Sequence, residues 1–515
     1  MIIGGDSFVD VMPDETELLS LFESLDIYDN VFEQDSIVDY WKCNSGSLSK
    51  YVWSVIDSTL DLNASPSKLP TLPLERYRLI SKEEVNESSS KRDTFLCVSR
   101  EQLLDAKISR AKLLSLTNSP KPVWHFEVEP ESPVHYSPGD AFGFFVENDS
   151  RLVSSLLERL KINDTWYVED TKSVPPVTLE VRSALRKQFD LYSPPKKSFL
   201  LLLSEFCEND REKRALVLLS SDVGRDTYRS LFIRGRVSLL NILVTFPSCQ
   251  PPLQRVLDCL PFLAPRYYSA SSCYEPCGRK IDFVFSLVHY PIFEGKKWMR
   301  RGHATGVFDR ICSQLEKWST HDLRVTMFHR PSLYFHPPDN LQIPYLMICA
   351  GTGVAPFRGF IEQRRRDYKN WLSSEDSRVA TQEEPVKRTL IAPVYLFFGC
   401  RILGEFQEYL DEMESDLSSL PDSKLFVCYS RENGNEKYVQ DLLKKHAEQV
   451  SNLMFSHPSS CIYVCGDGAN MAKGVQESLI DIMNEQIFGN REDAKNFMKE
   501  LSDEKRYVQD IWFWG

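Results

Sequence analysis

From Pro337-Pro338 onward the chain repeats one pattern four times: a short apolar run, a turn, then a helical stretch. The apolar runs fall at residues 343–350, 394–398, 425–429 and 461–465, and the helical stretches at 354–366, 406–417, 437–450 and 470–484. Runs of this length that stay apolar on both faces fit strands covered by helices above and below. Strands alternating with helices predict a doubly wound parallel sheet, with ligands bound at the carboxyl ends of its strands. Residues 337–515 are therefore expected to form a dinucleotide-binding domain.

A different rhythm precedes it. Residues 123–128, Val-Trp-His-Phe-Glu-Val, alternate at period two, and Tyr136-Ser137-Pro138-Gly139-Asp140 is a turn leading into the apolar run 141–145. Strand character returns at Arg266–Ser269 and at 281–290, while residues 151–260 carry leucine and charge at three- and four-residue spacing. That order predicts one β-domain over residues 94–336, interrupted by a helical insertion at about 151–260. A chain of 515 residues exceeds what one core usually serves.

Residues 1–41 hold eleven Asp or Glu and no Lys or Arg, nearly all of the net charge of −12. Residues 1–62 also carry apolar groups at helical spacing (Leu18, Leu19, Phe22, Leu25, then Val38, Trp41), and 63–93 read as a linker rich in proline and serine. An acidic chain is not built for nucleic acid. No apolar run approaches the length that spans a bilayer. The N-terminus lacks the basic start and apolar core of a signal peptide, so a cytoplasmic location is expected. Thirteen cysteines lie scattered without CxxC pairs or histidines at zinc-ligand spacing. Reduced thiols are expected, and no metal.

Several segments carry chemistry. Arg266-Tyr267-Tyr268-Ser269-Ala270-Ser271-Ser272 offers a guanidinium, flat rings and hydroxyls on an extended segment, the groups a flavin dinucleotide requires, although RYYS alone is as readily an ordinary strand. Gly302-His303-Ala304-Thr305-Gly306-Val307 is a glycine-bounded turn whose backbone N–H groups suit a pyrophosphate. Gly351-Thr352-Gly353 follows an apolar run and opens a helix, with Pro356 in the first turn, as at a dinucleotide site. Tyr429-Ser430-Arg431 and Lys437-Tyr438-Val439-Gln440 place a hydroxyl, two cations and a ring where a 2′-phosphate could be held. Cys465 stands at a strand's carboxyl end, and the last four residues, Trp512 to Gly515, include three aromatics.

Taken in order, YSPGDAFG, EKRALVLLSS, FPSC, PRYYSASS, GHATGVF, AGTGVAPFRGFIEQRR, YLFFGCR, YSRE, KYVQDLL and IYVCGDGANMAK resemble the FAD and NADPH half of the diflavin reductases, from about residue 95 to the end. YVCGDGANMAKGV and EKRYVQDIW are most similar to members that serve a cobalamin enzyme. The resemblance implies an antiparallel β-barrel FAD domain with a helical insertion, then the NADPH domain. It implies that Arg266 holds the FAD pyrophosphate, Tyr268 stacks on the isoalloxazine and Ser269 bonds near N5. Tyr290, Gly302, Ala304 and Thr305 would complete that site. Gly351, Thr352 and Gly353 would face the NADPH pyrophosphate, with Arg401, Ser430, Arg431, Lys437, Tyr438 and Gln440 around its adenosine phosphate. Cys465 and Asp510 would line the hydride path, and Trp512 would cover the flavin.

The activity implied is NADPH-dependent reduction of FAD, with electrons leaving for a separate acceptor, either a flavodoxin-like protein or a cobalamin enzyme. Three departures stand out. No flavodoxin-like phosphate loop occurs in residues 1–94, so FMN is not expected and residues 1–62 are at most a remnant of such a domain. Cys349 and Ala350 replace the usual Gly-Pro ahead of Gly351, and Phe513, Trp514 and Gly515 follow Trp512. The alternative is a non-catalytic relative that keeps the fold as a binding or regulatory partner. An isoform of a longer two-flavin reductase would read the same way.

Overall fold

A computed structural model of the chain describes residues 37–85, 103–117, 119–163, 165–173, 176–275, 279–293, 299–317, 323–373, 391–432 and 436–512, with backbone only at 37–46, 299 and 317. The expectations for residues 1–36 and 86–93, and for Phe513 and Trp514, lie outside the described residues. The described residues fall into two compact units. One comprises parts of Met1–Phe95, Glu147–Phe262 and Pro291–Arg300; the other, parts of Leu96–Val146, Leu263–Tyr290 and Arg301–Gly515.

The larger unit contains two sheets. Its first has strands β1 (Leu104–Leu113), β2 (Val123–Pro130), β3 (Ala141–Phe145), β4 (Arg266–Ser269), β5 (Ile281–Ser286) and β6 (Arg324–Arg330), with helix α1 (His303–Lys317) following β5 in the chain. The strand order is β4-β3-β6-β1-β2-β5, every pair antiparallel. The two outer strands of that order meet. Ala270, just past β4, bridges Phe283 of β5, and Ser271 N donates to Asp282 O at 2.7 Å, closing the sheet into a barrel. Closure removes both sheet edges. Inward alternation fills the interior with Phe126, Phe142, Phe144, Phe283 and Phe285, joined by Phe308 of α1; neighbouring ring centroids lie 5.0–6.0 Å apart.

The second sheet has β7 (Tyr345–Ala350), β8 (Val394–Cys400), β9 (Lys424–Tyr429), β10 (Cys461–Asp467) and β11 (Tyr507–Trp512) in the order β9-β8-β7-β10-β11, all parallel. Both faces are buried, which is why the strands read as continuous apolar runs. Tyr345, Met347 and Cys349 of β7 face the core shared with α2 (Ala355–Ser373) and α3 (Gln407–Ser418). Leu346 and Ile348 face the core shared with α4 (Val439–Lys445), α5 (Ala447–Phe455), α6 (Met471–Met483) and α7 (Arg491–Asp503).

A polar network ties the barrel to this sheet's helices. The Arg358 guanidinium on α2 donates to Ser271 O and Asp282 Oδ2, both at 2.8 Å, and to both carboxylate oxygens of Glu412 at 3.0 Å. Its plane lies 5.0 Å from the centre of the Tyr409 ring, whose hydroxyl meets His125 Nδ1 at 2.7 Å. Burial pushes the His125 imidazole down to about 4, so it is neutral at physiological pH. Replacing Arg358 with methionine leaves the Asp282 carboxylate short of its cation inside the protein. The expected loss is about 3 kcal/mol in urea unfolding, with part regained when Asp282→Asn is added. A loss within experimental error would show that the network does not hold the two sheets together.

In the smaller unit, the insertion is largely helical as expected, with a three-stranded sheet of Tyr77–Ile80, Tyr167–Asp170 and Val177–Glu180. One expectation needs revising and another gains detail. The stretch read as a linker, 63–93, contains the strand Tyr77–Ile80, paired antiparallel with Tyr167–Asp170, and a two-point ion pair between Arg76 and Asp170 stands at the end of that pairing. The described part of residues 1–62 includes a 23-residue helix, Ile37–Thr59, whose Leu48, Val52 and Ile56 are buried in the core of the helical unit. No helix among the described residues is long and apolar enough to cross a membrane.

Candidate functional site

A cleft of about 950 Å³ opens beside β4, lined by residues from the barrel and from the carboxyl ends of β10 and β11. Strand pairing sets its first wall. Tyr268 stands opposite Phe142 and Tyr267 opposite Gly143, so the two rings point to opposite faces of β4. Tyr268 packs edge-on against Phe144 and Phe308 (5.7 and 5.6 Å between centroids), and burial raises its hydroxyl pKa, keeping it protonated. Tyr267 is exposed and carries the Arg330 guanidinium 4.2 Å from its ring centre. Gly143 admits the Phe328 ring, because a Cβ there would lie 2.4 Å from it. The Arg266 guanidinium is steadied by Ala264 O at 2.7 Å and lines the cleft.

The second wall is the start of α1. The segment from Gly302 to Val307, expected as a turn, is the N-terminus of this helix. Gly306 N donates to Gly302 O at 2.7 Å, and Gly302, His303, Ala304 and Thr305 line the cleft. The N–H groups of a first helical turn have no partner within the helix and attract anions. The Thr305 hydroxyl itself accepts Val288 N at 3.2 Å and so braces the wall. Tyr290 is on the short strand His289–Pro291 and is not among the residues lining the cleft.

At the cleft floor, the parallel register of β10 and β11 sets Cys465 level with Asp510. Ser269 Oγ donates to Asp510 Oδ2 at 2.9 Å, and Cys465 Sγ approaches the same oxygen at 3.9 Å. Burial pushes the Asp510 carboxyl above its ordinary 3.8, opposed by the Ser269 hydrogen bond and the charge of Arg330. Burial, with Asp510 beside it, drives the Cys465 thiol well above its usual value, so it stays protonated. Trp512 lines the same cleft two residues on. The arrangement holds a proton between a hydroxyl and a carboxyl at the place where the barrel meets the parallel sheet.

The turn after β7 begins at the same floor. Gly351 has φ +56, and Gly353 lies so close to β10 that a Cβ would stand 2.3 Å from Cys465 O. Of this turn, Thr352 reaches the cleft. Farther along the sheet edge, Ser430 N donates to Cys400 O and Arg431 N to Arg401 O (2.9 and 2.7 Å), which brings Arg401, Ser430 and Arg431 together. The backbone N–H groups of Lys437 and Tyr438 both donate to Asp441 Oδ2, capping α4 with the Tyr438 ring exposed. Gln440 packs toward Gly474 of α6. Two residues escaped the sequence reading. Lys121 is half-buried near Arg401, Glu405 and Asp467, and burial with the Arg401 charge lowers its pKa. Arg330 lines the cleft beside Tyr267 and Asp510. Both lie in segments whose patterns mark only strand starts and ends.

These residues fit a flavin dinucleotide. The cleft has cofactor size, aromatic walls, the guanidinium groups of Arg266 and Arg330, and a helix N-terminus that suits a pyrophosphate. The separate cationic edge at Arg401 and Arg431 fits a nucleotide phosphate.

Comparison with known proteins agrees. Residues 97–306 match the FAD binding domain family, and residues 347–477 match the oxidoreductase NAD-binding domain family. The chain is 30% identical over 532 residues to methionine synthase reductase of Rattus norvegicus, covering 97% of this chain and 73% of that protein. It is 29% identical over 539 residues to the Homo sapiens protein of the same name, covering 97% and 74%. It is 30% identical over 423 residues to NADPH–cytochrome P450 reductase of Dictyostelium discoideum, covering 79% and 58%. On its two matched domains, their order and the extent of these likenesses, the chain belongs to the diflavin reductase family of flavoprotein oxidoreductases.

Proposed function

We propose that this chain is an NADPH-dependent flavoprotein reductase that draws electrons from NADPH through FAD and delivers them to a separate one-electron acceptor protein. Reactivation of a cobalamin-dependent methionine synthase, in the cytoplasm, is the setting that its likeness to the methionine synthase reductases supports. The observation that carries this reading is the convergence of Ser269, Asp510 and Cys465 in the cleft that also holds Arg266, Tyr268 and Trp512.

When bound, the cofactors supply the redox chemistry, a hydride passing from nicotinamide to flavin and electrons leaving singly. The chain supplies position and charge. Arg266 and the start of α1 hold the FAD pyrophosphate, and Tyr268 presents a flat face to the ring system. The Ser269 hydroxyl is aimed by Asp510, whose carboxyl is made by burial a better proton holder than an ordinary aspartate. Gly351, Thr352 and Gly353 let backbone approach the second pyrophosphate. Arg401, Ser430 and Arg431, with Lys437, Tyr438 and Gln440 on the next helix, select the 2′-phosphate. Trp512, which lines the cleft, would cover a bound flavin and would have to give way to nicotinamide.

Purified protein should be yellow and release FAD on denaturation, with no FMN, and it should reduce ferricyanide briskly with NADPH. A protein that holds FAD yet reduces no acceptor would favour a binding or regulatory role instead.

A further inference from the structure

The helical unit contains a pair of cysteines that no part of the flavin chemistry uses. Cys207 follows the helix Lys197–Glu205, and Cys249 follows the helix Leu239–Thr245. The two are direct partners in an antiparallel bridge. The flanking bond runs from Gln250 N to Phe206 O at 2.9 Å, which makes Cys207 and Cys249 the narrow, non-hydrogen-bonded kind of cross-strand pair. At such a pair the Cα atoms stand about 4.5 Å apart, within the span a disulfide bridges without backbone movement.

Side-chain positions agree with the backbone. Both sulfurs lie against one acceptor, Leu203 O, Cys207 at 3.5 Å and Cys249 at 3.3 Å. The two segments are also pinned beside the pair. Asn209 N donates to Ser248 Oγ at 3.1 Å, and Ser248 N and Oγ donate to Glu212 Oε2 at 3.0 and 2.7 Å. Cys249 is buried, while Cys207 is half-exposed and open to a small reagent.

We propose that Cys207 and Cys249 are an oxidation site, closing to an intramolecular disulfide on exposure to hydrogen peroxide. The Cys207 thiolate attacks one peroxide oxygen, the O–O bond breaks, and hydroxide leaves to become water as Cys207 becomes a sulfenic acid. The Cys249 sulfur then attacks the Cys207 sulfur, an S–S bond forms, and a second water departs with the Cys249 proton. Two thiols and one peroxide give one disulfide and two waters. The bond would staple together the two ends of residues 207–249, which contain the helices Asp210–Ser220, Arg225–Tyr228 and Leu239–Thr245.

The ionisation pattern supports this order of events. The hydrogen bond with Cys249 lowers the Cys207 thiol pKa, while Cys249 is pushed up by that same bond and by burial. The other described cysteines are all raised by burial; Cys259, for example, reaches about 12. Cys207 is thus the described thiol best placed to react first.

The test uses the full chain, fully reduced, freed of reductant, treated with hydrogen peroxide, capped with N-ethylmaleimide and digested with trypsin. Cys207 and Cys249 are the lone cysteines of the peptides Ser198–Arg211 and Val237–Arg255. The expected result is loss of both capped peptides and their recovery as one linked species, two hydrogens lighter than their sum, which dithiothreitol splits. Cys207→Ser should leave Cys249 capped after the same treatment. The proposal is overturned if peroxide leaves both peptides capped, drives Cys207 to an unlinked sulfinic acid, or links it to a different cysteine. Because the mapping is read on the unaltered protein, a poorly folding variant does not cloud it.

Discussion

Replacing Asp510 with asparagine is expected to slow reduction of bound FAD by NADPH about 10²-fold or more, the span typical for loss of a positioned proton-transfer group. The amide can still meet the Ser269 hydroxyl, which donates to Oδ2 at 2.9 Å, but it cannot take up or release a proton. Stability should move the other way. A carboxyl whose pKa is raised by folding costs nothing below its unfolded value, ordinarily 3.8, and its cost is complete above its folded value. The variant should therefore gain thermal stability over the parent as pH rises through and above 3.8, and match it in stronger acid. Single-turnover reduction and melting curves across pH check both halves. A variant that reduces FAD at the parental rate would remove Asp510 from the chemistry. Stability that does not diverge with pH would show that burial does not strain the carboxyl.

Replacing Trp512 with serine should collapse the preference for NADPH over NADH by at least about tenfold, a change of ~1.4 kcal/mol between the two transition states. On the proposed reading the ring must leave its place before nicotinamide can enter. The contacts of Arg401, Ser430 and Arg431 with a 2′-phosphate supply binding energy that offsets that displacement, and NADH has no such group. With the indole gone, NADH no longer lacks what it needs. The comparison is kcat/KM for both coenzymes in parent and variant, and an unchanged ratio would count against a gating ring at this position.

The legible parts of this molecule are those whose local pattern matches their burial. Strands β7 to β10 are covered on both faces, so their apolar runs stand out, and the GTG turn follows the first of them. Strand β11 was not legible as a strand. Tyr-Val-Gln-Asp-Ile-Trp puts Gln509 and Asp510 in mid-run, because the strand lies at the sheet edge and presents its acid to the cleft. Strand β1 was missed for another reason: a bulge between Ile108 and Arg110 breaks its period-two alternation.

Single residues follow the same division. The RYYS segment showed groups that line the cleft, but not that Asp510, 241 residues away, aims its serine. That pairing depends on the register of β10 and β11, which sets Cys465 against Asp510. The acidic first segment and the linker were read by charge and proline content. Leu48, Val52 and Ile56, spaced four apart on the helix Ile37–Thr59, bury into the helical core despite the charge before them.

The central claim is that one cleft unites a flavin held by β4 and α1 with a coenzyme held by the parallel sheet. It is tested most directly by mixing the purified protein, loaded with FAD, with NADPH and separately with NADH in the absence of oxygen. The account predicts that NADPH bleaches the flavin's visible absorbance and that NADH does so much more slowly. A protein that stays colourless after FAD is added, or a bound flavin that NADPH leaves oxidised, would contradict it.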